Sequence, residues 1–487
     1  MRIKFLSVIV SFLLVSFAIT SCLDNDSNNI EYSSDATIHA FAIDTIFGED
    51  YKFTIDQIGG KIYNQDSLPV GSDTIIDRIL IKTLTTSSGI VTMKDKNNED
   101  SIINIADSID LSTLKYTEAK PLVLKVWAPD MVNTKEYKLW VQVHLQDPDS
   151  LNWGSKKDEK PIAKGFSGGN ITGAQKAVLL NKEIFVYSKN TANVLIAYKA
   201  NTQDGTSWQP VGAITGLPTT VNLSSIVSFK GALYVAADNK VYVSSNGAQW
   251  QEKASLNQSG YSIHTLLTSY PPRKEGELGN GQIIITTGIA AIITRNRPNA
   301  EGTQTCFAIT NDDASGWKLD DQGNLGDEVP NGFPKYDISS TVYITDIGVQ
   351  GAMLMGSELE RADKEESKEP ITPWGSYDGN SWADLSTTTG FCPILTIPSI
   401  LRYGSEFYAF GNDFSTFYAS LTGIVWYKAN KKFYFPAGLK ARTGSNYSMV
   451  VDDQNFIWII CSKSGNGSDD VWRARLNKLG FKNALTQ

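Results

Sequence analysis

Thr202-Gln203-Asp204-Gly205-Thr206-Ser207-Trp208, Ser244-Ser245-Asn246-Gly247-Ala248-Gln249-Trp250 and Ser376-Tyr377-Asp378-Gly379-Asn380-Ser381-Trp382 share one form. A small hydroxyl residue is followed two positions on by an acid or amide, then by glycine, then three positions later by tryptophan. A fourth, looser copy is Thr310-Asn311-Asp312-Asp313-Ala314-Ser315-Gly316-Trp317, with Asp312, Gly316 and Trp317 assigned to the same places. Each copy follows a short apolar run that reads as a strand. Asp and Asn tolerate left-handed backbone and bond to their own main chain, and glycine takes the positive φ. The tryptophan is then free to fold onto the hairpin and pack between neighbouring sheets.

Together these turns resemble the Asp-box of sialidase-like β-propellers, lacking the residue usually found between Asp and Gly. The tryptophans lie 42, 67 and 65 residues apart. Two further units follow with degenerate turns, Ile424 to Phe433 and Val471 to Phe481. Inner hairpins recur at Leu233–Ala237, Phe407–Gly411 and Ile457–Cys461. The expectation is an all-β chain whose residues 150–487 form a six-bladed β-propeller, with residues from Trp153 to about 166 giving the outer strand that closes the ring. In such folds the second-to-third-strand loops and the blade connections share one face, opposite the tryptophan turns. Loops on a rigid scaffold commonly carry recognition. Arg295 and Arg297 in blade three, and Phe414, Phe417 and Tyr418 in blade five, are therefore the candidate binding face, beside the charged run Leu359 to Pro370.

Glycine and tryptophan are scarce upstream: residues 1–150 hold 5 of the 39 Gly and 2 of the 11 Trp. There the pattern alternates, as a half-buried strand requires. Tyr137 to Leu145 is apolar at every odd position, and Pro121 to Trp127 reads as its partner across a turn near Ala128-Pro129-Asp130. Asp35 to Ile43 and Thr74 to Thr83 give more strands. Residues 34–147 are expected to form a β-sandwich that resembles the immunoglobulin- and cadherin-like domains of bacterial surface lipoproteins. His39 and His144 lie in these strands with no evident ligand partner.

Residues 1–21 have the shape of a secretory leader: Arg2 and Lys4, then an uncharged run from Phe5 to Ile19 too short to span a bilayer. Ile19-Thr20-Ser21-Cys22 resembles the bacterial lipobox, which implies lipidation of Cys22. Leu23-Asp24-Asn25-Asp26 resembles the surface-export signal of Bacteroidetes lipoproteins, with 22–33 as the tether. The expected partner at this end is a membrane, held through the lipid anchor only. The whole arrangement looks like a Bacteroidetes lipoprotein family of unknown function, implying a location at the outer membrane, exposed at the cell surface.

The net charge is −8, with 44 basic against 52 acidic residues. Nucleic acid needs clustered cations, so no nucleic-acid partner is expected. Three His and no CxxC pair point to no cofactor and no metal. Cys306, Cys392 and Cys461 read as small hydrophobes within strands. No Gly-x-Ser-x-Gly, His-Glu-x-x-His or phosphate loop is present, and no catalytic residue is singled out. Resemblance to sialidases implies an arginine triad, yet no arginine occurs between Arg78 and Arg273. A glycoside hydrolase working through two carboxylates stays open as an alternative. So does an accessory subunit of an outer-membrane assembly. The reading favoured is a lipid-anchored binding protein whose loop face recognises a glycan or a surface protein.

Overall fold

The computed structural model describes residues 31–94, 98–145, 147–154, 159–272, 286–298, 301–345, 348–358, 370–386, 391–463 and 467–477. The chain divides into two units, Met1–Pro148 and Asp149–Gln487.

In the first unit Leu122–Trp127 pairs antiparallel with Thr134–Trp140, Leu122 opposite Leu139 and Trp127 opposite Thr134. Leu122, Leu124 and Val126 are buried while their neighbours are not, so the alternation in the sequence sets which face packs inward. These strands lie within a six-stranded sheet in which Lys61–Asn64 runs parallel to Thr134–Trp140. A separate two-stranded sheet joins Ile38–Ile43 to Ile81–Thr86. Ile38, Phe41 and Ile81 of the small sheet share one core with Leu124, Val126 and Leu139 of the large one. The strand expected from Thr74 begins only at Ile81, because Asp73–Ile76 is a helical turn. Gly71 at φ +87° turns the chain, and the N–H groups of Ile75 and Ile76 bond back to the Ser72 carbonyl.

The second unit contains six sheets among the described residues. Their inner strands are Gln175–Leu180, Val227–Phe229, Tyr261–Tyr270, Tyr336–Ile344, Ser399–Tyr403 and Tyr447–Val451. Each inner strand lies against the next, and Tyr447–Val451 lies against Gln175–Leu180, so the circuit closes. Within each sheet the strands run outward as successive antiparallel hairpins. The last sheet is completed from the start of the unit. Ser150–Trp153 and Ala163–Lys164 both pair with Asp470–Asn477. Closure therefore begins at Ser150, slightly before the expected stretch.

Six apolar clusters fill the spaces between successive sheets. Trp250, for example, lies with Phe185 and Tyr187 between sheets one and two. Trp382 joins Phe307 and Phe333 between sheets three and four. Fully burying an aromatic side chain of 150–250 Å2 contributes roughly 4–6 kcal/mol gross at ~25 cal/mol per Å2. Cys306, Cys392 and Cys461 are buried free thiols in these clusters.

Candidate functional site

The antiparallel order gives the ring two faces. The first-to-second and third-to-fourth turns of each sheet emerge on one. The second-to-third turns and the sheet-to-sheet connections emerge on the other.

On the first face the tryptophan turns are structural. In the second sheet Asn246 Oδ1 accepts from the N–H groups of Ala248 and Gln249, both at 2.9 Å. Ser244 Oγ accepts from Gly247 N at 2.9 Å. Asp378 Oδ1 and Ser376 Oγ repeat this at 2.9, 2.9 and 2.8 Å around Gly379. In the first sheet Asp204 Oδ1 takes Thr206 N at 2.7 Å, and Trp208 Nε1 donates to the Gly205 carbonyl at 2.9 Å. Trp382 Nε1 donates likewise to Gly379.

The glycines answer to two demands. Gly205, Gly247 and Gly379 have φ of +63°, +77° and +77°. Each also sits against the preceding sheet: a Cβ on Gly247 would lie 2.5 Å from the Phe185 ring, and one on Gly205 2.1 Å from that of Trp458. Tyr187 then donates across the gap to the Gly247 carbonyl at 2.7 Å.

Two turn assignments are corrected. In the third sheet Asp312 does not bridge the turn; its carboxylate pairs with Lys318 at 3.0 Å. Asn311 Oδ1 accepts from Ser315 N and Gly316 N instead, at 2.8 and 3.2 Å. Gly316 is not the left-handed residue either, because Ala314 holds that place at φ +54°. Trp317 is buried as expected and donates to the Leu256 carbonyl. The fifth turn is regular, not degenerate: Gly423 N donates to Ser420 Oγ at 2.8 Å and Trp426 Nε1 to the Gly423 carbonyl at 2.9 Å. Thr422 stands where the acid would be, and this substitution masks the motif in the sequence.

The residues proposed from sequence as a binding face do not form one. Phe414 and Phe417 are fully buried. Phe417 stacks on Phe435 at 4.1 Å and Phe414 packs edge-on to Tyr447 at 5.0 Å, filling the space between sheets five and six. Tyr418 is half-buried beside Phe391. Arg295 is only 8% exposed, its guanidinium donating to the Gly323 carbonyl at 2.8 Å and the Tyr261 hydroxyl at 3.3 Å. Arg297 pairs with Glu328 at 3.1 Å. The charged run at 359–369 and Cys22 lie outside the described residues.

The other face instead carries a depression that the sequence does not announce. Its origin is a bulge in the inner strand of the fourth sheet, where the register shifts between Tyr336 and Ser339 and Asp337 takes φ +50°. Such strain persists only when the surroundings impose it. Here Lys176 Nζ, from the opposite sheet, donates to the Ile338 carbonyl at 3.2 Å. Asn222 Nδ2 donates to the Lys335 carbonyl at 3.1 Å. The strand is thereby tied across the ring axis. Above it lies a cavity of about 370 Å3, whose lining includes Gln175, Lys189, Thr220, Asn222, Tyr336 and Asp337. Among the described residues the buried Gln175 Oε1 has no hydrogen-bond partner, while its Nε2 donates to Ser448 Oγ and the Ile460 carbonyl. Below it a narrow axial channel of about 80 Å3 begins at Lys176. Enclosure by protein pushes the pKa of the Lys176 ammonium down to about 8, with Asp337 opposing the shift.

A second hollow of about 270 Å3 lies on the tryptophan-turn face. Its cations, Lys182 and Lys230, are exposed hairpin residues, and Lys230 lies over the Phe229 ring. Its lining also includes the buried polar residues Thr202 and Ser228, but both of its cations are exposed.

Two other polar groupings are structural. Asp35, His39 and Ser87 sit together in the first unit, so His39 does have partners. However, the same ring nitrogen faces both Asp35 and Ser87, and Ser87 donates directly to Asp35 at 2.6 Å. A relay needs the carboxylate and the hydroxyl on opposite ring nitrogens. Between sheets five and six the Arg442 guanidinium lies 3.6 Å from the Asp470 carboxylate, which also accepts from Trp472 Nε1 at 3.1 Å. Burial raises the Asp470 pKa while Arg442 opposes that rise. Among the described residues no group of three or more His, Cys, Asp or Glu is placed to hold a metal ion.

Residues 147–484 match the family described as the DUF6242 beta propeller domain, and residues 23–141 match the DUF6242 N-terminal domain, a domain of unknown function. No curated protein matches the sequence. Among solved structures, the chain is similar to an alpha-L-arabinanase of Penicillium chrysogenum complexed with arabinobiose. The identity is 13%, over 62% of this chain and 93% of that one, with a TM-score of 0.34. A DUF4623 family protein from Bacteroides eggerthii is 12% identical over 90% of this chain and 97% of that one, with a TM-score of 0.33. The fucose-specific lectin from Aleuria aurantia is 12% identical over 64% and 97%, with a TM-score of 0.31.

Proposed function

The chain belongs to the DUF6242 family, and from that premise we propose that it is a surface-held binding protein whose propeller recognises a glycan in the depression around Tyr336 and Asp337. The observation that carries this reading is the preformed polar cavity of about 370 Å3, held open by cross-axis hydrogen bonds. Small-ligand sites are typically clefts of roughly 300–1,000 Å3 with a few fixed polar groups. An amide acceptor left unpaired at Gln175 suits a ligand rich in hydroxyl donors. Asp337 is the one carboxylate among the described lining residues, so the cavity favours binding over two-carboxylate hydrolysis.

The same reading takes the six sheets as six blades and the first unit as an immunoglobulin-like sandwich serving as a stalk. It takes Cys22 as the lipid-bearing N-terminus of the exported chain, at the outer membrane of a Bacteroidetes-like cell. Metabolic labelling with a fatty acid tests the anchor: label retained by wild type and lost in Cys22→Ser is the expected result. For the ligand, the soluble protein from residue 23 is applied to a glycan array beside Tyr336→Ala. Binding by wild type that drops at least about tenfold in the variant supports the reading. A blank array with co-purifying membrane partners contradicts it.

A further inference from the structure

We propose that the ligand of this depression is an acidic saccharide, whose carboxylate is met by Lys189 at the rim and Lys176 at the floor. The inference rests on the glycan-binding reading and adds the charge class of the ligand.

It starts from an inversion of charge. The chain as a whole is acidic, at −8. Among the described residues around this cavity the balance is reversed: Lys189 lines it, Lys176 lies one residue deeper on the same strand as Gln175, and Asp337 is the one carboxylate opposing them. Among the described residues neither lysine is in an ion pair. Pairing of the first two strands sets Gln175 opposite Ser188, which brings Lys189 beside the start of the inner strand. Lys189 thus sits at the rim, while Lys176, which lines the axial channel beneath, lies at the floor.

Lys176 is the more telling of the two. An ammonium has three donors, and one reaches the Ile338 carbonyl. Enclosing a cation is costly, and here the attraction of Asp337 and the bond to a neutral carbonyl offset only part of that cost. The depressed affinity of Lys176 for its proton reports the same shortfall. An anion seated above the bulge supplies what is missing, in a cleft where low-dielectric walls strengthen the attraction. Lys182 and Lys230 on the opposite face are solvated and exposed, so an anion there gains little. Thr220, Asn222 and the Gln175 amide nitrogen are already bonded to protein groups, so the lysines carry the recognition.

The test is calorimetric binding of the chain from residue 23 to a panel of uronic-acid oligosaccharides and the same compounds with carboxyls reduced to alcohols. The acidic forms are expected to bind at least about tenfold more tightly, since a charge-assisted hydrogen bond contributes roughly that factor. Lys189→Gln should shrink the difference and Lys189→Arg should keep it. Because Lys176 also ties the bulge, Lys189 is the safer position for testing charge. Equal affinity for both forms, or preference for the neutral ones, overturns the acidic assignment and leaves the glycan reading standing. No binding to any saccharide overturns both.

Discussion

The two faces of the ring spend their polar residues in opposite ways. On the tryptophan-turn face the capping side chains are satisfied locally, although Trp250 Nε1 and Asn380 Oδ1 have no partner among the described residues. Asn246, Ser244, Asp378 and Ser376 each bond to main chain within three residues, and the tryptophan behind them is buried. On the other face Lys176 and Asn222 reach across the axis to main chain more than a hundred residues away. Short-range bonds specify a turn. Long-range bonds tie the bulge in place beside a cavity, where Gln175 Oε1 has no partner among the described residues. Polar residues therefore build the fold on one side and offer a site on the other.

The largest effects should come from the face that builds. Trp426→Ala empties the cluster between sheets four and five, and is expected to cost about 3–5 kcal/mol in urea unfolding. A cost below about 1 kcal/mol would show that the fifth turn does not belong to the series. Arg442→Met leaves Asp470 buried without its cation, with an expected loss of about 3–5 kcal/mol. Replacing Asp470 by Asn in that background should recover a good part of it.

The glycines sharpen the comparison further. A Cβ at Gly247 meets a rigid ring, whereas at Gly423 it meets the flexible end of Met353. Both have positive φ. Gly247→Ala should therefore cost about 2–4 kcal/mol and Gly423→Ala about 1–2 kcal/mol, measured by thermal or urea unfolding. Equal costs would mean that backbone conformation alone explains the glycines.

How much of this is legible in the sequence follows from the same contrast. Turns whose bonds span three residues leave a mark, so Asp204, Asn246 and Asp378 with their glycines and tryptophans are readable as a repeat. The third turn misleads because three adjacent residues, Asn311, Asp312 and Asp313, can all cap a turn, and only geometry shows that Asn311 and Asp313 share the role while Asp312 does not. The fifth is obscured by Thr422. Phe414 and Phe417 look like loop aromatics because their segment, Asp413 to Tyr418, links two strands; their burial depends on Phe435 and Tyr447, which no local pattern connects to them. The depression leaves no mark at all. Lys176 and Ile338 meet only once six sheets have closed the ring, and the bulge at Asp337 carries neither glycine nor proline to announce it.

Smaller effects separate the roles residue by residue. Asn311→Ala should cost about 1–2 kcal/mol, and Asp312→Ala less than about 0.5 kcal/mol, because its partner Lys318 is at the surface. The reverse order would return the capping role to Asp312. Lys176 gives a pH signature of known sign. Its folded pKa of about 8 lies below the ordinary 10.5, so between those values the unfolded chain binds more protons. Stability relative to Lys176→Met should then rise as pH increases across that window. A flat difference would mean that the ammonium is not enclosed.

The most direct measurement is calorimetric affinity for one array-selected glycan, taken on wild type, Tyr336→Ala and Asn246→Ala side by side, with folding checked for each. Binding lost in Tyr336→Ala and unchanged in Asn246→Ala is the predicted result. Binding lost in Asn246→Ala and kept in Tyr336→Ala would place recognition on the tryptophan-turn face and contradict the account.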